Sequence, residues 1–116
     1  MRVLVMEDSW LIADAITDVL ERSGISVVGP VPDITRGITL ARSAEIDGAV
    51  LDIELQDGRC FGAATILRLR GIPFVFLSGH LSSDLVPDVL RTARHLQKPQ
   101  DLWALPEIVK SAFVAA

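Results

Sequence analysis

The sequence predicts a single α/β domain in three layers, a doubly wound parallel sheet covered by helices on both faces. Three observations predict it: short apolar runs alternate with stretches of helical periodicity, the connections between them are short, and the apolar runs end in polar residues. At 116 residues, half of them hydrophobic, the chain can form one substantial core and has no room for a second folded domain. Residues 1–116 are therefore read as one unit.

Val3-Leu4-Val5-Met6 is a continuous apolar run closed by acids, as expected of a central parallel strand buried on both faces. Ile12, Ile16, Val19 and Leu20 mark one face of a first helix that closes at Ser23-Gly24. Ile25 to Val28 reads as a second strand stopped by Gly29-Pro30, and Ile34, Ile38 and Ala41 form a weaker helical stripe. Gly48 to Asp52 is the third strand. Leu55 to Gly58 reads as a turn, and a third helix runs from about Arg59 to Leu69, stopping before Gly71 and Pro73. Pro73 to Leu77 is the fourth strand, and Leu85, Val86, Val89, Leu90 and Ala93 outline a fourth helix. The fifth strand, His95-Leu96-Gln97, is placed mainly by the alternation. Leu102, Leu105, Val109, Ala112 and Phe113 outline a fifth helix, with Pro106 in the first turn, where its missing donor is tolerated.

Composition excludes several classes of function. A net charge of −4 with 22% charged residues leaves no broad basic surface for nucleic acid phosphates. Cys60 is the only cysteine, which rules out an intramolecular disulfide and a thiolate zinc cluster and suits a reducing compartment. The apolar runs are too short to span a bilayer, and Met1-Arg2 leads into a strand-like segment with no signal-peptide pattern. A cytoplasmic protein without direct nucleic-acid or membrane binding is expected.

In an open parallel sheet, ligands bind beyond the carboxyl ends of the strands. Glu7 and Asp8 follow the first strand, Asp52 ends the third, Ser78 follows the fourth and Lys98 the fifth. Each has an ordinary structural use: helix-starting acids, a cap, a turn residue, a solvated charge. Their joint placement at one sheet edge points instead to a site. Three carboxylates gathered there repel one another unless a cation is held between them.

The acid pair in Val5-Met6-Glu7-Asp8, the aspartate of Val50-Leu51-Asp52, the hydroxyl of Leu77-Ser78-Gly79 and Lys98-Pro99 resemble the CheY-like response regulator receiver family over nearly the whole chain. Each motif alone is unspecific; four in order, each after its own strand, are not. The resemblance implies a flavodoxin-like fold with a five-stranded parallel sheet in the order 2-1-3-4-5. It implies a phosphoacceptor domain of a two-component phosphorelay, with Asp52 as acceptor. Mg²⁺ is expected on Asp8, Asp52, the Glu54 backbone carbonyl and, through water, Glu7. Ser78, the Gly79 amide and Lys98 are expected to bind the phosphoryl group. Such a domain catalyses only its own phosphorylation and dephosphorylation. Its partners are a sensor histidine kinase or histidine phosphotransfer protein and, downstream, a protein partner or a missing output domain. The surface of helix four, strand five and helix five would carry the signal, with Arg91, His95 and Trp103 on it and Trp103 as the partner anchor if exposed. The segment Pro73 to Gly79 also resembles small stand-alone proteobacterial receivers.

Some positions depart from the family pattern. His95 stands where receivers carry a switching Tyr or Phe, so it either switches with Ser78 or is a surface histidine. Glu54 and His80 flank the phosphoryl position, and a contact between them could tune dephosphorylation. Cys60 opens the third helix, where the dipole could lower its pKa, although an incidental small residue is the plainer reading. Asp57 reads as a turn residue rather than a second acceptor. Two other functions use similar residues: an aspartate-based phosphatase, for which no substrate cap is present, and an interaction module that has lost phosphorylation. Whether the chain is a complete regulator or a receiver cut from a longer protein stays open.

Overall fold

The computed structural model describes residues 1–79 and 86–114. Its elements are β1 (Arg2–Met6), α1 (Trp10–Arg22), β2 (Ser26–Val31), α2 (Ile34–Ser43), β3 (Gly48–Asp52), β4 (Glu54–Leu55), β5 (Gly58–Arg59), α3 (Phe61–Leu69), β6 (Phe74–Ser78), β7 (Arg94–Gln97) and α4 (Leu105–Ala112). Five of the strands form one parallel sheet in the order β2-β1-β3-β6-β7. Setting aside the small antiparallel hairpin β4-β5, this is the expected order 2-1-3-4-5.

Period-two alternation in the strands sorts the core into two layers. Leu4, Met6, Ala49, Leu51 and Phe76 face α2 and α3, where Ala41, Ala63 and Leu67 meet them. Val3, Val5, Val50, Val75 and Leu77 face the opposite way, onto Ile16 and Leu20 of α1 and Leu105, Val109 and Phe113 in and after α4. β1 and β3 are apolar on both faces because both faces are covered. Gly48 is required by this packing, since a Cβ there would run into the Phe113 ring.

Local capping sets where the helices begin. Ser9 Oγ accepts from the Ile12 N–H at 3.4 Å, and Asp33 accepts from the Arg36 N–H at 3.0 Å. Among the described residues no helix is long and apolar enough to cross a membrane.

The structure corrects two expectations. β2 does not stop at Gly29-Pro30 but runs on to Val31. It is an edge strand, paired on one side only, so proline costs no ladder bond, and a register shift between Leu4 and Met6 absorbs the irregularity. Gly29 has φ +99°, and its Cβ would lie 3.1 Å from the Val5 carbonyl oxygen. The expected fourth helix is absent from residues 86–93, which hold only a 3₁₀ turn at Asp88–Leu90. Pro87 is extended there (φ −55°, ψ 144°), and an α-helix cannot run through that residue. Leu85 of the expected stripe lies outside the described residues. The turn expected at Leu55 to Gly58 is present and closes the hairpin β4-β5.

Candidate functional site

β1 lies between β2 and β3, so the chain leaves β1 toward one side of the sheet and returns on the other. The carboxyl ends of β1 and β3 therefore border the crevice where such sheets bind ligands. Glu7 sits at the end of β1, with its N–H donating to the Val31 carbonyl at 3.0 Å. Its carboxylate is buried. Oε2 accepts from the Ser9 N–H at 3.1 Å, and Oε1 lies 2.5 Å from Lys98 Nζ. Among the described residues Oε1 has no hydrogen-bond partner of regular geometry, and the ammonium serves it as a counter-ion.

Asp52, also buried, divides its two oxygens. Oδ1 accepts from the Glu54 N–H at 3.3 Å, and Oδ2 lies 3.0 Å from Lys98 Nζ. Carboxylate oxygens of Glu7, Asp8 and Asp52 all lie within 4.8 Å of one another. Three carboxylates this close, with one ammonium, are undercompensated, and hard oxygen donors at such spacing fit a small divalent cation.

The charges respond to this crowding. Burial, then the neighbouring Glu7, pushes the Asp52 carboxyl up to about 7, against the pull of Lys98. Burial acts on Glu7 in the same direction. There it is outweighed by hydrogen bonding with Asp52, Lys98 and the Ser9 amide, which leaves Glu7 below the usual carboxylate range. Of these two coupled carboxyls, Asp52 is thus the one that resists ionisation. Lys98 is depressed by burial but raised overall by the two carboxylates, so it stays charged.

Backbone parity orients Glu54. Cys60 N–H donates to the Ile53 carbonyl at 3.1 Å, making these two a hydrogen-bonded pair. Glu54 and Arg59, one step further along, are then a non-hydrogen-bonded pair whose polar groups face out of the ladder. The N–H of Glu54 goes to Asp52, and the carbonyl leaves the same side of the strand.

Ser78 is buried at the end of β6, and its carbonyl accepts from the Lys98 N–H at 2.9 Å. Gly79 is exposed beside it, and His80 lies outside the described residues. His95 is not a solvated surface histidine. It pairs with Phe76 across the strands, ring centroids 6.0 Å apart, and its buried Nε2 has no hydrogen-bond partner among the described residues. Burial holds its pKa below the ordinary histidine value. Arg91 is tied to its own turn, by the Val86 carbonyl at 3.0 Å and Asp88 at 3.3 Å.

Trp103 is 86% exposed, so it does not cover the core. Sequence reasoning missed Trp10, 79% exposed next to Asp8, and its neighbour Leu11. The stripe of Ile12, Ile16, Val19 and Leu20 already placed both off the core face of α1. Cys60 is fully buried, and burial and the nearby Asp52 push its thiol up to about 12, the opposite of a reactive thiolate.

Fold and cluster together define the class: an open parallel α/β domain with an acidic pocket and a lysine at its switch point. The chain belongs to the response regulator receiver domain family, whose model matches residues 3–110. Receiver domains of this family are generally two-component signalling modules rather than classical enzymes, and they interact with histidine kinases or phosphotransfer proteins. None of the curated proteins matches it in sequence. Among solved structures it is similar to SdrG from Sphingomonas melonis Fr1, with 31% identity, 98% of this chain and 97% of that one covered, and a TM-score of 0.81. It is also similar to a CheY-like receiver domain from Methanospirillum hungatei JF-1, at 24% identity over 95% and 90% of the chains and a TM-score of 0.82. The receiver domain of a Pseudomonas aeruginosa PAO1 sensor histidine kinase, described with a magnesium ion coordinated in its active site cleft, shares the fold at 21% identity, 98% coverage of both chains and a TM-score of 0.83.

Proposed function

We propose that residues 1–116 act as one receiver domain that accepts a phosphoryl group on Asp52 from a phosphohistidine. The observation that carries this reading is the Lys98 ammonium set between the Glu7 and Asp52 carboxylates, with the Asp8 carboxylate in the same cluster. Asp8, Asp52 and the Glu54 carbonyl would hold Mg²⁺, with Glu7 through water; the magnesium-bearing relative supports that assignment. Bound there, the ion neutralises charge on the carboxylates and on the transferred oxygens.

An Asp52 oxygen attacks phosphorus, the bond from phosphorus to the donor imidazole nitrogen breaks, and its electron pair returns to the ring. An acyl phosphate and a free histidine result. Lys98 pairs with the incoming oxygens, giving up part of its hold on Asp52. The Ser78 hydroxyl and the Gly79 amide donate to the remaining oxygens. Water attack on phosphorus later returns the carboxylate, so turnover is confined to the domain's own aspartate.

The donor reaches Asp52 past Asp8 and α1. Trp10 and Leu11, exposed on α1 close to Asp8, give a histidine kinase or phosphotransfer protein apolar anchors, while exposed Trp103 is the anchor for a partner on the outgoing surface. For the outgoing signal, the surface is made by the Asp88–Leu90 turn, β7 and α4 rather than by a full fourth helix. Ser78 and His95 lie on the same face of the sheet and form the switching pair. Tuning of dephosphorylation by Glu54 remains part of this reading.

The test is the intact mass of wild type and Asp52→Asn after incubation with a small acyl-phosphate donor and Mg²⁺. One added phosphoryl group in wild type alone is expected. Equal labelling of Asp52→Asn, or steady hydrolysis of an unrelated phosphoester, would overturn the assignment.

A further inference from the structure

The hairpin β4-β5 begins with Glu54 and has only two residues in each strand. An isolated ribbon of that size does not hold its own shape. Two contacts dock it on α2, and both fall on Ile34. At the tip, Asp57 accepts the Ile34 N–H with Oδ1 and Oδ2, each at 3.1 Å. Next to it, Gly58 (φ +138°) comes so close that a Cβ would stand 2.9 Å from Ile34 Cδ1. The cap of α2 itself is a different acid, Asp33 on the Arg36 N–H. The two aspartates divide the work: Asp33 closes the helix, and Asp57 joins the helix to the hairpin.

We infer that Asp57 is a positioning residue for the cation site: by pinning the hairpin tip to the first amide of α2, it holds the Glu54 carbonyl on the side of the Asp52 carboxylate. This rests on the reading of Glu7, Asp8 and Asp52 as a Mg²⁺ site. The chain of connection is short. Asp57 fixes the tip, the Leu55 and Gly58 pair carries that position to Glu54, and the Glu54 N–H is already committed to Asp52 Oδ1. With the tip released, the strand can rotate and lose the carbonyl from the site while Asp8 and Asp52 stay in place. The carboxylate of Asp57 is thereby occupied in a structural contact, which explains why this second aspartate after β3 is no rival acceptor. Its contact joins elements 23 residues apart in sequence, so it also links the α2 end to the phosphorylation site.

Mg²⁺ binding by titration calorimetry, with amide exchange at Ile34 and Cys60 in the metal-free protein, tests the inference. Asp57→Ala should weaken Mg²⁺ by about fivefold, the factor for one modest hydrogen bond, and speed exchange at Cys60. Asp57→Asn keeps an acceptor and should stay within about twofold of wild type. Asp33→Ala, which loosens the same helix end without freeing the hairpin, should also bind within about twofold. Wild-type affinity in Asp57→Ala would overturn the inference, because burial of Leu55 would then suffice to hold the hairpin. An equal loss in Asp33→Ala would overturn it too, showing general loosening of α2. If wild type takes up no Mg²⁺, or Asp8→Asn binds as tightly as wild type, the reading of the acidic cluster fails and the inference falls with it.

Discussion

The nearest partner of the Lys98 ammonium is Glu7, at 2.5 Å, rather than Asp52, at 3.0 Å. Lysine thus anchors on the carboxylate expected to stay outside the direct metal shell, and its longer bond is the one that the proposed phosphoryl transfer would loosen. Removing the ammonium leaves Glu7 buried without its counter-ion. Lys98→Ala should therefore cost about 3 kcal/mol in metal-free protein, measured by urea unfolding, and saturating Mg²⁺ should restore part of it. An unchanged midpoint would show that water replaces the ammonium.

The raised Asp52 pKa sets a pH dependence. The ordinary value is 3.8 and the folded value about 7, so between these limits the folded state binds more protons than the unfolded one. Asp52's contribution to stability is fully present below about pH 4, is lost as pH rises toward 7 and is flat above. With chelator present, Asp52→Asn should gain on wild type by at least about 1 kcal/mol between pH 5 and pH 8. A constant difference between the two proteins would refute the shift.

Cation binding should reverse that penalty. At pH 8 and about ten times the dissociation constant, Mg²⁺ should stabilise wild type by roughly 1.4 kcal/mol, seen as a higher Tm. Asp52→Asn and Asp8→Asn should show little of this gain, and equal gains would place the ion elsewhere.

His95 predicts an effect of the opposite sign. Burial lowers its folded pKa below the ordinary 6.5, so the unfolded state protonates first and stability is lost as pH falls from 6.5 through the lowered value. His95→Phe removes the orphaned buried Nε2 beside Phe76. It should stabilise by about 1 kcal/mol near neutrality and by more at pH 5.5. Destabilisation at both pH values would mean that the imidazole has a polar partner after all.

A packing test lies at the far end of the sheet. Gly48→Ala drives a methyl group into the Phe113 ring, and overpacking of this kind should cost about 1–3 kcal/mol in urea unfolding. Phe113→Leu in the same background should recover part of the loss.

Much of the fold was legible because strand and helix periods differ. Val3 to Met6 and Ala49 to Leu51 are apolar without interruption, and Ile12, Ile16 and Leu20 recur on one helical face. The fourth helix was misread for a physical reason: Val86, Val89 and Leu90 have helical spacing, but Pro87 stands extended among them. Periodicity alone did not weigh that residue. β2 was cut short for the converse reason. Pro30 breaks a central strand, and nothing in the local sequence says that β2 lies at an edge.

At the site, Glu7, Asp8, Asp52 and Lys98 were legible because each follows a strand, and a parallel sheet brings all such ends to one side. That convergence follows from the order of residues along the chain. Which groups meet is set by the packed fold: Lys98 on Glu7 as well as Asp52, His95 against Phe76, Asp57 on the first amide of α2, and both tryptophans outside. The physical reason is range. Strand ends are set by local polarity and backbone preference, whereas these pairings depend on register between elements far apart in the chain, which no local pattern encodes.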